Sequence, residues 1–181
     1  MTHRSISSEG IILARKNYGE ADRLLTIFSR HYGKIFLLAK GVRKLKSRKR
    51  SSIEVFSLIK FSASSGDSLD LIIETEVINS FGKIRRSLNK VALTYYFMEI
   101  MNKITHDEEE NKLFFDHVIN YLKRLEYENK LREIKKDFIY QSLVLLGYWP
   151  KNKIMNSVEA ELESVIEKKL FSERVGRLLV N

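Results

Sequence analysis

The sequence predicts an α+β protein in which a small all-β unit precedes a helical one. Three observations carry that prediction. Six of the eight glycines (Gly10, Gly19, Gly33, Gly41, Gly66 and Gly82) fall in the first 82 residues. They punctuate segments of about 8–12 residues, the cadence of short strands joined by turns. Leu69, Leu71, Ile73, Thr75 and Val77 alternate with Asp70, Ile72, Glu74 and Glu76, a period of two that puts one row inside and one outside. After Asn79 the apolar residues recur every three or four positions, as on a helix.

Five strands follow from this punctuation, at about Ser5–Lys16, Ala21–Arg30, Lys34–Lys40, Ile53–Ser62 and Ser68–Asn79. His31-Tyr32-Gly33-Lys34 and Ser65-Gly66-Asp67 read as hairpin turns, Gly33 supplying a positive φ at little cost. Gly10 lies inside the first strand, where a residue with no side chain marks the bend of a strand shared by both sheets of a closed barrel. Five strands with one bent predict an OB-like barrel over residues 1–80, leaving 81–181 as the helical domain.

A first helix is expected from Gly82 to about Ile104, with Ser80 as N-cap. Its rows Phe81, Ile84, Leu88, Val91, Tyr95, Met98 and Leu93, Phe97, Ile100, Ile104 together predict burial nearly all round. Thr105 and Glu108 have capping-box spacing ahead of a second helix whose core face is Phe114, Val118, Tyr121 and Leu125. A third runs from about Leu131 to Leu146, with Leu131, Ile134, Phe138 and Leu145 on one side and Gly147 and Pro150 stopping it. A fourth spans Ser157–Phe171.

Composition excludes whole classes of chemistry. The 181 residues are 44% hydrophobic and 30% charged, ordinary for a folded protein with a core of its own. No apolar run approaches the roughly 18 residues of a membrane span, and the N-terminus has no apolar signal core, so a cytoplasmic protein is expected. The chain has no Cys, which removes disulfides, thiolate zinc sites, iron–sulfur clusters and Cys nucleophiles. His3, His31, His106 and His117 are scattered, and Asp107-Glu108-Glu109-Glu110 is explained by the helix dipole alone, so no metal site is expected. Phosphate-loop, dinucleotide and esterase motifs are missing too, and no cofactor or enzymatic centre is expected.

Lys and Arg exceed Asp and Glu by 32 − 23 = 9, and the excess has a focus. Lys40, Arg43, Lys44, Lys46, Arg48, Lys49 and Arg50 place seven cations in eleven positions with no acid among them. On a loop between strands such a run repels itself unless an anion compensates, and a phosphate backbone does so while releasing condensed counterions. The bland reading is a solvated loop that aids solubility. On a barrel of this type nucleic-acid contact is the stronger one, with Lys34 added to the main group and Arg15, Lys16 and Arg23 as outlying candidates. Tyr18, Phe28, Tyr32, Phe36 and Phe56 could stack on bases; most sit in strand patterns and are expected in the core, leaving Tyr18 and Tyr32, at turns, as the better platforms. Tyr18-Gly19-Glu20-Ala21-Asp22-Arg23 pairs acids with an Arg but lacks a catalytic partner, and reads as a charged turn that sets strand register and holds Arg23.

These motifs together resemble the bacterial DNA repair protein RecO family. The resemblance rests on Gly10-Ile11-Ile12-Leu13, on Tyr18 through Thr26, on His31-Tyr32-Gly33-Lys34 running to Leu38-Ala39-Lys40-Gly41-Val42-Arg43-Lys44, on Lys46-Ser47-Arg48 and on Gly147-Tyr148-Trp149-Pro150. It implies an N-terminal OB-fold and a C-terminal helical domain. It also implies binding of single- and double-stranded DNA, strand annealing, and action with RecR to help RecA displace single-strand-binding protein, whose C-terminal tail docks on the helical domain. Family members usually continue beyond this point and many carry a Cys-based zinc motif there; a shortened helical domain without zinc is expected here. Two competing expectations are an RNA-binding OB-fold protein of the translation apparatus and a helical protein-docking adaptor.

Overall fold

A computed structural model describes residues 5–44, 52–66, 68–151 and 153–168. His3, Asp67, Phe171 and the cations Lys46, Arg48, Lys49 and Arg50 lie outside the described residues. The strands β1 (Ser5–Tyr18), β2 (Asp22–Ser29), β3 (Gly33–Ala39), β4 (Leu58–Ser64) and β5 (Leu71–Asn79) close into a barrel in the order β1-β2-β3-β5-β4. This is the OB-like arrangement, and β1 is its hinge: Gly10 pairs with Ser29 of β2 on one side and Ile59 of β4 on the other. A Cβ at Gly10 would lie 2.5 Å from Ile27 Cγ2 and 3.0 Å from Phe61 Cε1, so the strand crosses the barrel core where only glycine fits.

Two strand expectations are corrected. Residues 53–57 carry the apolar Ile53, Val55 and Phe56, but they form a buried turn and not the start of β4. Ile53 is fully buried in the barrel, and Phe56, at φ 56°, donates its amide to the Ile12 carbonyl at 2.8 Å. The alternation along β5 is broken by register shifts against β4, where Ile73 and Ile78 are skipped. Ile72 becomes the buried residue while Ile73, Val77 and Ile78 are exposed, because each bulge flips the faces beyond it.

Helices α1 (Gly82–Arg85), α2 (Leu88–Ile104), α3 (Lys112–Tyr127) and α4 (Leu131–Leu145) follow, and residues 158–168 are helical as well. The single helix expected from Gly82 to Ile104 is interrupted at Arg86 and Ser87, and Ser80 does not cap it. Phe81, fully buried at φ 53°, takes the N-cap position and its amide donates to Asn79 Oδ1 at 2.7 Å. Nor is α2 buried all round, since Leu88, Ala92, Tyr95 and Glu99 are exposed. Leu145 of α4 is also 38% exposed.

The expected capping box does not form. Thr105 Oγ1 donates back to the Met101 carbonyl at 2.7 Å, ending α2, and Asn111 caps α3 by accepting from the Phe114 amide at 2.9 Å. The loop between them is held by the barrel, where the Glu108 amide donates to the Lys34 carbonyl at 2.9 Å. Tertiary contact thus decides where α3 begins.

The core has two parts. Ile12, Leu25, Ile27, Ile35, Leu37, Ile59 and Phe61 fill the barrel. Ile11, Leu13, Phe28, Val55, Phe56 and Leu58 belong instead to the cluster that contains Phe97, Met101, Phe114, Phe115 and Phe138 of the helices. One outer face of the barrel is therefore packed directly on the helical layer.

Within that layer His117 stacks between Phe114 and Phe138, with ring centroids 5.9 and 5.6 Å away. Burial lowers its pKa from 6.5 to about 4, partly offset by the nearby Asp137. Because the folded pKa lies below the unfolded one, the unfolded chain takes up this proton first as pH falls. Stability is accordingly expected to hold above about pH 7 and to drop through the window from 6.5 to 4. Urea unfolding at pH 7 and pH 5 checks this, and the fall between them should be smaller in His117→Phe.

Candidate nucleic-acid interface

The basic run leaves the barrel at the end of β3, and its first residues are tied down by the turn joining β1 to β2. Asp22 Oδ1 accepts from the Gly41 amide at 2.7 Å, the Arg43 amide donates to the Ala21 carbonyl at 2.9 Å, and the Arg43 guanidinium donates to the Glu20 carbonyl at 2.9 Å. Val42 is fully buried in the barrel core between them. Gly41 has φ 67°, a backbone state that a side chain would strain. The acidic turn thus carries the root of the basic segment as well as setting register.

Beyond the run the chain is anchored again at Ser52 and Ile53. Ser52 Oγ lies 2.6 Å from Thr75 Oγ1 of β5, and Ile53 is buried in the barrel. Arg85 of α1 donates to the Val55 carbonyl at 2.9 Å and to Ser57 Oγ at 3.1 Å, with its guanidinium 3.8 Å above the Phe56 ring. Burial there pulls the Arg85 pKa below the usual arginine range.

Around these anchors Lys40, Arg43 and Lys44 are exposed at the root of the run, and Lys16 is exposed on β1. Arg15 is half-buried and ion-paired with Glu54, and Arg23 is half-buried on β2 opposite Asn17 and Ala39. Lys34 departs from the expectation. Only 7% exposed, it aims its ammonium at the C-terminal end of α2, 2.9 Å from the Asn102 carbonyl, 3.1 Å from the Thr105 carbonyl and 3.0 Å from Asp107 Oδ1. Three donors meet three acceptors, so the charge braces barrel to helix and is not offered to a ligand. Lys34→Met is expected to lose about 1–3 kcal/mol of stability, the penalty for stranding buried acceptors. Urea melts would measure the loss, and the salt dependence of DNA binding should stay unchanged.

The aromatic expectations are redrawn as well. Tyr18 is 48% exposed at the hairpin tip, as a platform would need, but Tyr32 is half-buried against the barrel core and Phe28 and Phe56 are buried. Phe36 is the residue the pattern missed: it is 40% exposed on the outer face of β3. In Ile35-Phe36-Leu37-Leu38-Ala39 every residue is apolar, so no alternation marks which one faces out.

Paired residues on neighbouring strands share a face. Ala14, Thr26 and Phe36 therefore form one outward row across β1, β2 and β3, and Lys16, Leu24 and Leu38 form the next. Helices cover this face at Ile11, Phe28 and Lys34, leaving the end beside the basic run open. On the other side β5 exposes Glu74 and Glu76, with Asp70 exposed just before it. Acids thus outnumber the exposed Lys60 on the β4–β5 side, while Lys16, Lys40, Arg43 and Lys44 outnumber the exposed Glu20 on the β1–β3 side, a bias that favours a polyanion there. No cluster of metal-ligating side chains occurs among the described residues, and the arrangement is one of exposed cations beside the exposed rings Tyr18 and Phe36.

Comparison with known proteins identifies the family. Residues 1–81 match the family model described as recombination protein O N terminal. Over 143 residues the chain is 31% identical to the DNA repair protein RecO of Pelotomaculum thermopropionicum, covering 79% of this chain and 56% of that relative. The Moorella thermoacetica RecO is 32% identical over 157 residues, 86% of this chain and 58% of that relative. A Roseiflexus RecO is 30% identical over 151 residues, 83% and 53% of the two chains. The chain spans about half the length of these curated relatives. With an OB-like barrel, a helical layer packed on it and this succession of matched residues, the chain belongs to the recombination protein O family of DNA repair and recombination.

Proposed function

We propose that this chain is a non-enzymatic DNA-binding mediator that holds and anneals single strands and, with RecR, assists RecA loading in recombinational repair. The observation that carries the reading is the basic run Lys40–Arg50, whose root at Gly41–Arg43 and whose following residues Ser52 and Ile53 are anchored to a barrel with Lys16, Tyr18 and Phe36 exposed beside it. Cations at that site lower the phosphate repulsion between two complementary strands, and the counterions released make binding favourable at low salt. Pairing is then done by the strands themselves, so neither a cofactor nor a covalent step is needed. RecR and the C-terminal tail of single-strand-binding protein are the protein partners in this reading, the tail docking on the helical layer and RecA being served indirectly. No helix among the described residues is long and apolar enough to cross a membrane, in keeping with action at the nucleoid.

The test is annealing of complementary oligonucleotides at two salt concentrations. Acceleration at low salt that fades at high salt is expected; an unaccelerated rate at both would overturn the reading. RNA of the same sequence should compete no better than DNA, since an RNA-specialised site would use the 2′-hydroxyl. Single-strand-binding protein lacking its tail should fail to pull the chain down.

A further inference from the structure

We propose that the groove between β1 and α2 is a nucleobase subsite of this interface, with Tyr95 as its stacking platform. The inference rests on the DNA-binding reading and extends it to a residue of the helical layer. The groove, about 460 Å³, is lined on β1 by Ala14 and Arg15 and on α2 by Tyr95, Glu99 and Asn102, among others. Leu88, Ala92 and Tyr95 form an outward stripe on α2, and Tyr95 is 46% exposed. A large ring left in the open on a helix is unusual in its setting here, because it is also held in place. Phe56 meets it edge-on at 5.7 Å and 87°, and Phe56 itself lies under the Arg85 guanidinium. A ring already oriented loses little freedom when a base stacks on it.

Register connects this groove to the open barrel face. Ala14 is paired with Thr26 and Thr26 with Phe36, all facing the same side. Tyr95 beside Ala14 and Phe36 at the far end of this row are exposed rings, with Thr26 buried between them and the three strands spanning roughly 10 Å. Lys34 ties β3 to α2, since it sits two residues from Phe36 on β3 and donates to the Asn102 carbonyl in the groove. Asn102 also brings an amide group, which can both donate and accept at a base edge.

The charges around the groove favour a nucleotide. Glu54 is engaged by Arg15 and Glu99 by Lys103 at 2.6 Å, and Arg85 adds a further cation close to Glu54 and Tyr95. The carboxylates are thus compensated and one positive charge is left over, so a base can enter while its phosphate meets no net repulsion.

Tyr95→Ala is expected to weaken single-strand binding about tenfold or more, the loss of one base–aromatic stack, without changing the slope of log affinity against log salt. Tyr95→Phe should restore binding, and an abasic oligonucleotide should bind both variants alike. The unaltered protein supplies an independent measurement: photocrosslinking to an oligonucleotide containing 5-iododeoxyuridine should mark the peptide that contains Tyr95. Undiminished affinity in Tyr95→Ala with crosslinks confined to β1–β3 would overturn the subsite and leave the proposed function standing. A chain that bound no oligonucleotide at any salt would overturn both.

Discussion

Replacing Lys44, Lys46, Arg48 and Lys49 together by Ala should lower affinity for single-stranded DNA roughly a hundredfold at 0.15 M salt. The size follows from counterion release: about four phosphate contacts at roughly 0.7 each give a slope near −3, worth about two decades between 0.15 M and 1 M. The variant's slope should therefore flatten toward zero along with the affinity. The fold should survive, because Lys44 is exposed and the root of the run is held by Asp22, Ala21, Glu20 and the buried Val42. Fluorescence anisotropy with a labelled oligonucleotide, titrated with salt, measures both quantities. Wild-type affinity and slope in this variant would remove the run as the site.

The second large effect is on stability. Phe28→Ala should cost about 3–5 kcal/mol, the usual penalty for truncating a buried phenylalanine, and lower Tm by roughly 10 °C for a chain of this size. Phe28 is 1% exposed, with its ring 5.6 Å from Phe114 and 6.3 Å from Phe115. It is the barrel's plug in the helical layer. Arg30 reinforces the same seam by bonding Glu9 at 3.1 Å and Asp116 at 2.6 Å while its guanidinium lies over Phe115. Gly33 lets the β2–β3 turn approach so closely that a Cβ there would lie 2.2 Å from the Glu109 carbonyl. Barrel and helices are therefore expected to unfold in one transition in the wild type. Two separate transitions by calorimetry would contradict the shared core.

Much of this was legible in residue order. Five strands, the bend at Gly10 and the barrel-then-helix arrangement follow from glycine spacing and from the change of period after Asn79, since both reflect local backbone preference and one-sided burial. α4 ends within a residue of its expected boundary because Gly147 stops it locally, at φ 75°. The elements misplaced are those that tertiary contact controls. Ile53, Val55 and Phe56 are apolar because they plug a junction, and the break before α2 comes from Phe81 being pulled into the core.

The binding surface divides in the same way. The number and position of the cations are covalent facts, so the charge excess, its focus at Lys40–Arg50 and the family resemblance could be read without a fold. Which cations are available could not. Lys34 and Lys40 are both lysines at an end of β3, yet one saturates the carbonyls ending α2 and the other faces solvent. Phe36 and Tyr95 look like core residues in their local patterns and are exposed because no neighbouring element reaches over them. Residue order determines charge and periodicity, whereas availability depends on what packs on each face, and that is settled only when distant segments meet.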